Sequence, residues 1–224
     1  MKSDNLSSKR STSRKSLRDY ILTSRQESIL IGTLLGDGRL YLPRLTACIS
    51  LGYGMPQKEY FDWKVREFSP LFRQLGRIDK DNVIRACSLS CTHLTSYHSM
   101  FYKEKVKIVP IDIGKYLDSL ALAVWYMDDG SIGTYSTASS SLATCCFTIE
   151  ENEILIQALK DRFDIIGEQR MCQVRGNYYP TIVLFREQHI KFHEIIDNMI
   201  LDCLDYKRYK RDPQRLYARS YEKL

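Results

Sequence analysis

Two apolar runs set the frame of this chain. The first is Leu30-Ile31-Gly32-Thr33-Leu34-Leu35-Gly36-Asp37-Gly38, and the second is Leu122-Ala123-Val124-Trp125-Tyr126-Met127-Asp128-Asp129-Gly130. Each is uncharged until its closing acid or acid pair, and each ends in Asp-Gly. A stretch without a polar face is the pattern of a helix buried on most sides. Thr23-Ser24-Arg25-Gln26 and Ser24-Arg25-Gln26-Glu27 both offer a capping box ahead of the first run. Asp118 or Ser119 can cap the second. Gly38 and Gly130 are expected at the left-handed position just past each helix end. Gly32 and Gly36 share a face, and a face without side chains lets another backbone approach. The two helices are therefore expected to pack against each other.

The rest of the pattern repeats as well. In the first half, residues 46–51 read as a strand. Residues 57–75 read as a helix, with Tyr60, Phe61, Val65, Phe68, Leu71 and Phe72 at helical spacing and Pro70 as a break. Residues 83–89 read as a strand and 92–102 as a short helix. In the second half, 144–149 reads as a strand and 150–163 as a helix with Ile154, Leu155, Ala158, Leu159 and Phe163 on one side. Residues 168–174 and 179–185 read as a hairpin around Arg175-Gly176-Asn177, and 188–201 closes as a helix. One unit is used twice.

The closing acids sit in an unfavourable place. A helix C-terminus carries partial negative charge, so a carboxylate there costs a few tenths to ~1 kcal/mol. Two such carboxylates brought together repel, and a bound cation offsets both penalties. Asp37 and Asp129, or Asp128 beside it, are therefore candidate metal ligands. Oxygen donors with neither His nor Cys nearby point to Mg²⁺, with Mn²⁺ as a substitute. A single Asp-Gly is an ordinary turn signal; its repetition on one scaffold suits metal chemistry on a two-fold-symmetric substrate, such as duplex DNA. Three other readings fail. Tyr126-Met127-Asp128-Asp129 is the tetrapeptide of reverse transcriptases, but the chain is too short for a polymerase and the first copy would be unexplained. No Gly-x-x-x-x-Gly-Lys-[Ser/Thr] accompanies the acids. The runs are also far shorter than the ~20 apolar residues of a membrane span.

These segments resemble the paired signature motifs of the LAGLIDADG homing endonucleases, in the single-chain, two-motif form of the intron-encoded branch. Aligned on the family name, Asp37 and Asp129 take the place of the essential acid, and Gly32 and Gly36 the small positions where the helices meet. The departures are Gly36 for alanine, Val124 for glycine, and Trp125, Tyr126 and Met127 for leucine, isoleucine and aspartate. The resemblance implies an α+β fold of two pseudo-two-fold-related α/β halves. Paired motif helices lie at its centre, and curved antiparallel sheets form a DNA-binding saddle. It divides the chain into a basic arm (1–20), an N-terminal half (21–115), a C-terminal half (116–212) and a basic tail (213–224). It implies a monomeric, Mg²⁺-dependent endonuclease that cuts a long asymmetric site in double-stranded DNA, leaving short 3′ overhangs. The host intron's RNA is a further candidate partner. An intron maturase and a non-catalytic DNA-binding regulator are the alternatives on the same fold. Lys107 and Lys207, near the end of each half, resemble the family's active-site lysine. A lysine beside a scissile phosphate can stabilise developing charge or order the attacking water.

Strand faces supply candidate base readers, since the major groove admits a two-stranded ribbon. Arg39, Tyr41 and Arg44 follow the first motif, and Arg85 lies in a first-half strand. Gln173, Arg175, Asn177 and Tyr179 run through the second-half hairpin, all odd-numbered and so on one face of a regular strand. Net charge is +6, concentrated at the ends: residues 1–20 hold six Lys/Arg against two acids, and 206–224 hold seven against two. Such tails suit phosphate contact. Seven cysteines, odd in number and without a Cys-x-x-Cys pair, are expected as reduced thiols inside a cell, in an organelle or a bacterial cytoplasm.

Overall fold

The computed structural model describes residues 17–73, 76–133 and 138–209. Most of the N-terminal arm and all of the tail beyond residue 212 lie outside the described residues. The first apolar run forms α1, Ser24–Leu35. Thr23 and Gln26 close its capping box: the Thr23 hydroxyl accepts from the Gln26 amide at 3.3 Å, and the Gln26 side chain accepts from the Thr23 amide at 3.1 Å. The second run forms α4, Ser119–Asp129, capped by Asp118, which accepts from the Ala121 amide at 2.8 Å. Asp118 also accepts from Ser28 of α1 at 2.5 Å, tying the two helix starts together. Ile29, Leu30, Leu34 and Leu35 of α1 and Ala121 to Met127 of α4 are fully buried. The helices pack through Gly32, where a Cβ would lie 2.3 Å from the Ala121 carbonyl oxygen.

Each motif helix leads into one open, four-stranded antiparallel sheet. The first sheet holds β1 (Arg39–Tyr41), β2 (Cys48–Gly54), β3 (Arg77–Ile78) and β4 (Val83–Cys87) in the order β1-β2-β4-β3. Its helices are α2 (Lys58–Glu67) and α3 (Thr92–Phe101). A two-stranded ribbon, β5 (Tyr102–Lys103) and β6 (Val106–Lys107), ends the first half. The second sheet holds β7 (Gly130–Ile132), β8 (Ser139–Leu142), β9 (Glu168–Val174) and β10 (Asn177–Phe185) in the order β7-β8-β10-β9, with helices α5 (Ile149–Phe163) and α6 (Glu187–Ile196). The two orders match element by element. Ile49, Leu51, Tyr53 and Ile84 in one sheet, and Leu142, Ile182 and Leu184 in the other, point into a shared core.

Several sequence expectations need correction. Residues 144–149 are not a strand. Residues 145–147 turn, Thr148 and Glu151 close the capping box that starts α5 at Ile149, and the pairing strand is the serine-rich β8 before them. The helix expected over 57–75 ends at Glu67, ahead of Pro70, although Phe68, Leu71 and Phe72 stay buried. The helix expected over 188–201 ends at Ile196 and continues as a 3₁₀ turn, Asp197–Met199. Gly38 and Gly130 do not adopt left-handed backbone; among the described glycines only Gly176 does. They are glycine because of crowding. A Cβ on Gly38 would lie 2.2 Å from Thr33 Cγ2, and one on Gly130 would lie 2.0 Å from Tyr126 Cδ2.

Candidate active site

Asp37 and Asp129 stand where the motif helices run out. Asp129 is the last residue of α4, and Asp37 follows Gly36, which caps α1. The last carbonyls of a helix lack partners and carry its partial negative charge. Here a lysine takes them at each end. Lys107 Nζ donates to the carbonyls of Gly36 at 2.8 Å, Leu34 at 2.9 Å and Gly38 at 3.2 Å. Lys207 Nζ donates to those of Met127 at 2.7 Å, Asp128 at 3.2 Å and Tyr126 at 3.3 Å. The two lysines thus hold equivalent positions about the pseudo-two-fold axis.

The carboxylates remain electrostatically unsatisfied. Burial, then Asp37 and Asp128, push the Asp129 carboxyl up to about 7, against the pull of Lys107 and Lys207. Asp37 keeps exposed surface. Its carboxyl is raised too, by partial desolvation first and Asp128 second, with Lys64, Lys207 and Lys107 opposing. Burial lowers the Lys207 ammonium, partly offset by the three acids. A hard divalent cation fits this donor set, because it would take two oxygen ligands that hold negative charge poorly without it. Among the described residues no group of three or more His, Cys, Asp or Glu forms a metal cage.

Asp128 is not part of that pair. It turns into the first half, where Lys64 Nζ donates to its two oxygens at 2.7 and 2.9 Å and the Tyr53 hydroxyl donates at 3.0 Å. Lys64 and Asp128 side chains are both fully buried. Sequence reasoning missed Lys64, although a signal was present: Phe61, Lys64, Val65 and Phe68 follow the spacing of one helical face.

The sheets decide which candidate readers share a surface. Arg39, Tyr41 and Arg85 lie on the face opposite Leu40, Ile49 and Ile84, and so away from the core. Arg77 joins Arg85 there as its cross-strand partner. Arg85 leans over Gly52 and donates to Asp79 at 2.7 Å. Arg44 sits in the exposed loop after β1. In the hairpin the expectation of a single face fails. The turn has two residues, Arg175 and Gly176, so Gln173 pairs with Tyr178, and Tyr179 with Cys172. Side-chain parity flips across such a turn. Asn177 and Tyr179 share the outer face with Arg170 and Thr181, whereas Gln173 falls on the side of Ile182 and Leu184. Arg175 projects from the turn itself, with φ +49°. Arg77 and Arg170 could be found only once strand register was known.

Among the described residues, no helix is long and apolar enough to cross a membrane. Comparison with known proteins agrees with the geometry. The model of the LAGLIDADG DNA endonuclease family matches residues 27–192. A probable intron-encoded endonuclease 1 of Wickerhamomyces canadensis is 27% identical over 212 residues, covering 86% of this chain and 90% of that protein. Protein RecA of Mycobacterium gastri is 32% identical over 209 residues, covering 85% of this chain and 48% of that protein. The chain therefore spans about half the length of its RecA relatives. The homing endonuclease I-WcaI, solved bound to its DNA recognition sequence, has the same fold: TM-score 0.79 and 23% identity, covering 93% of this chain and 96% of that one. With its two motif helices, its repeated antiparallel sheets and a family match over most of its length, this chain belongs to the LAGLIDADG DNA endonuclease family.

Proposed function

We propose that the chain is a homing endonuclease that cuts both strands of a long, asymmetric DNA site by Mg²⁺-dependent phosphodiester hydrolysis. The observation that carries this reading is the pair of helix ends, each with one carboxylate and one lysine, from the two halves of a single chain. Asp37 and Asp129 would hold the metal. Mg²⁺, once bound, supplies an activated water and charge neutralisation at the leaving oxygen. Lys107 and Lys207 hold the carbonyls behind the carboxylates and place positive charge beside the strand-break sites. The outer sheet faces, with Arg39, Tyr41, Arg77 and Arg85 on one and Arg170, Asn177 and Tyr179 on the other, supply groove contacts. Arg44 and Arg175 add loop contacts, and Gln173 is left to solvent or phosphate. Because one chain carries both motifs, the acid pair is complete in a monomer. I-WcaI's complex with DNA and the intron-encoded relative support DNA as the substrate. The test is to incubate the protein with Mg²⁺ and a randomised-site DNA library and to sequence the cut ends. One long consensus with staggered ends is expected. Enrichment of a bound site without any cut would instead place the chain among non-catalytic binders.

A further inference from the structure

The repeat breaks its symmetry at one point. Gly36 of the first motif and Asp128 of the second occupy the same position in their runs. Gly36 has no side chain, and a Cβ there would lie 2.5 Å from the Asp128 Cβ and 2.6 Å from its Oδ2. The glycine leaves the space through which Asp128 passes into the first half. There it meets Lys64 of α2 and Tyr53 of β2. Lys64 also donates to the Tyr53 hydroxyl at 2.7 Å and lies 4.9 Å from the Tyr60 ring centroid. Among the described residues no buried ion pair runs the other way. The buried residues of α5, the counterpart of α2, are Asn152, Leu155, Ala158 and Leu159, none of them charged. The first motif's end is held by Lys107 of its own half. The second is held by Lys207 of its own half and also by a buried ion pair that crosses to the other half.

We infer that Lys64, Tyr53 and Asp128 form a one-sided latch that positions Asp129 against Asp37, so that the two strand-break sites are unequal and the two DNA strands are cut at different rates. Asp128 adjoins Asp129 in the last turn of α4, so fixing the Asp128 carboxylate fixes the backbone that carries Asp129. These three are positioning residues and touch no substrate. A buried ion pair is weak as a source of stability, because desolvation offsets much of the attraction, but it is specific in geometry. Its use here is to set the relation between the two halves at the acid end of the motif helices, as the Ser28–Asp118 hydrogen bond does at their starts. The inference rests on the endonuclease reading.

The experiment uses the full chain and the target recovered from the library, labelled separately on each strand, in single-turnover reactions with Mg²⁺. Removing one charge would strand the other, so the main variant is the double exchange Lys64→Met with Asp128→Ala. Tyr53→Phe, nearly isosteric, is the milder probe. Thermal melting reports folding, and binding is measured with Ca²⁺ in place of Mg²⁺. The parent is expected to pass through a nicked intermediate with one strand preferred. In the double variant the ratio of the two strand rates should change by about 10-fold or more, since misplacement by ~1 Å can cost ~100-fold in rate. Tyr53→Phe should move the ratio in the same direction by less. A merely structural role would lower both rates by the same factor and leave the ratio alone. Equal strand rates in the parent would overturn the inference. So would a parental ratio in the double variant, or in Tyr53→Phe where the double variant does not fold. In those cases the endonuclease reading stands. A parent that cuts neither strand overturns both.

Discussion

Lys207 Nζ lies 2.7 Å from the carbonyl oxygen of Met127, two residues before the second motif acid. Lys107 repeats the arrangement at Gly36, one residue before the first acid. An ammonium at a helix C-terminus neutralises the partial charge that would otherwise repel the neighbouring carboxylate. The lysines therefore act on the acids through the backbone as well as through space.

Their burial differs, and so should their removal. Lys207 is buried and Lys107 half-buried. Lys207→Met should cost ~2–3 kcal/mol, because carbonyls sealed from water lose their donor. Lys107→Met should cost ~1 kcal/mol or less, since water can replace the ammonium. Urea denaturation of the two variants checks the order. Both should slow cleavage, and equal stability losses would mean that water reaches both helix ends.

The motif acids should set stability against activity. The Asp129 carboxyl is raised to about 7 in the fold, against ~3.9 for an unperturbed aspartate. A raised carboxyl favours the folded state while it stays protonated. That contribution is present below about pH 4 and is lost as pH climbs through 7. Between pH 6.5 and pH 8, above the window in which a buried histidine opposes it, the melting temperature without metal should therefore fall. Asp129→Asn should abolish cleavage, flatten the slope and stabilise the metal-free protein at pH 8 by ~1–2 kcal/mol. Mg²⁺ should raise the melting temperature more at pH 8 than at pH 6, where it competes with a proton. Differential scanning calorimetry with EDTA and with Mg²⁺ reads all three. Asp37→Asn should likewise stop cleavage while DNA binding persists.

Much of this architecture is legible in the sequence, and the boundary has a physical cause. The motif helices, the Thr23–Gln26 box and the Asp118 cap are local patterns within a few residues, and the structure has them. Counting parity puts the hairpin's candidate residues on one face, but parity holds only within a strand and flips across the two-residue turn at Arg175-Gly176. β8 escapes sequence reading because Ser139, Ser140 and Ser141 carry no apolar signal, while Cys145, Cys146, Phe147 and Ile149 do. The Lys64–Asp128 pair joins positions 64 residues apart, and no local pattern encodes such a contact. The Asp-Gly pairs do signal glycines that the fold needs after the acids, but crowding by Thr33 and Tyr126 accounts for them, not backbone handedness.

The corrected register gives its own prediction. Arg170 and Asn177 share the outer face of the second sheet, and Gln173 does not. Arg170→Ala and Asn177→Ala should each weaken target binding by ~1–3 kcal/mol where the side chain reads a base edge. Gln173→Ala should change it by less than ~0.5 kcal/mol. Competition binding with Ca²⁺ on the recovered target decides, and a loss in Gln173→Ala as large as that in Asn177→Ala would restore the single-face assignment.

Helix contact leaves little tolerance at Gly32. A Cβ there would lie 2.3 Å from a backbone oxygen of α4 and 2.7 Å from Val124 Cβ. Backbone cannot yield as a side chain can, so Gly32→Ala should destabilise by ~2 kcal/mol or more. Gly54→Ala is the control: its nearest neighbour would be Pro56 Cδ at 3.6 Å, and its φ of −61° suits any residue. Chemical denaturation should leave the control within ~0.5 kcal/mol of the parent.

A buried histidine pair should make the second half sensitive to acid. Ser140 Oγ lies 2.9 Å from both His189 Nδ1 and His193 Nε2, and His193 Nδ1 lies 2.6 Å from Asp197. Serine, histidine and aspartate in this order resemble a nucleophile relay, but Ser140 and both histidines are buried behind the sheet, where no substrate reaches. Burial first and His193 second lower His189 to about 4, with Asp197 opposing. The fold therefore keeps His189 neutral, while the unfolded chain binds its proton near pH 6.5. Between those values the unfolded state holds more protons, so stability falls as pH drops from 6.5 towards 4, by up to ~3 kcal/mol. His189→Leu removes the group that titrates. Whatever it costs at pH 7.5, its urea midpoint should rise relative to the parent's as pH drops to 5, because the opposing effect of Asp129 protonation is common to both proteins. Parallel pH profiles would mean that His189 is already protonated in the folded protein, with Ser140 and Asp197 stabilising the charge.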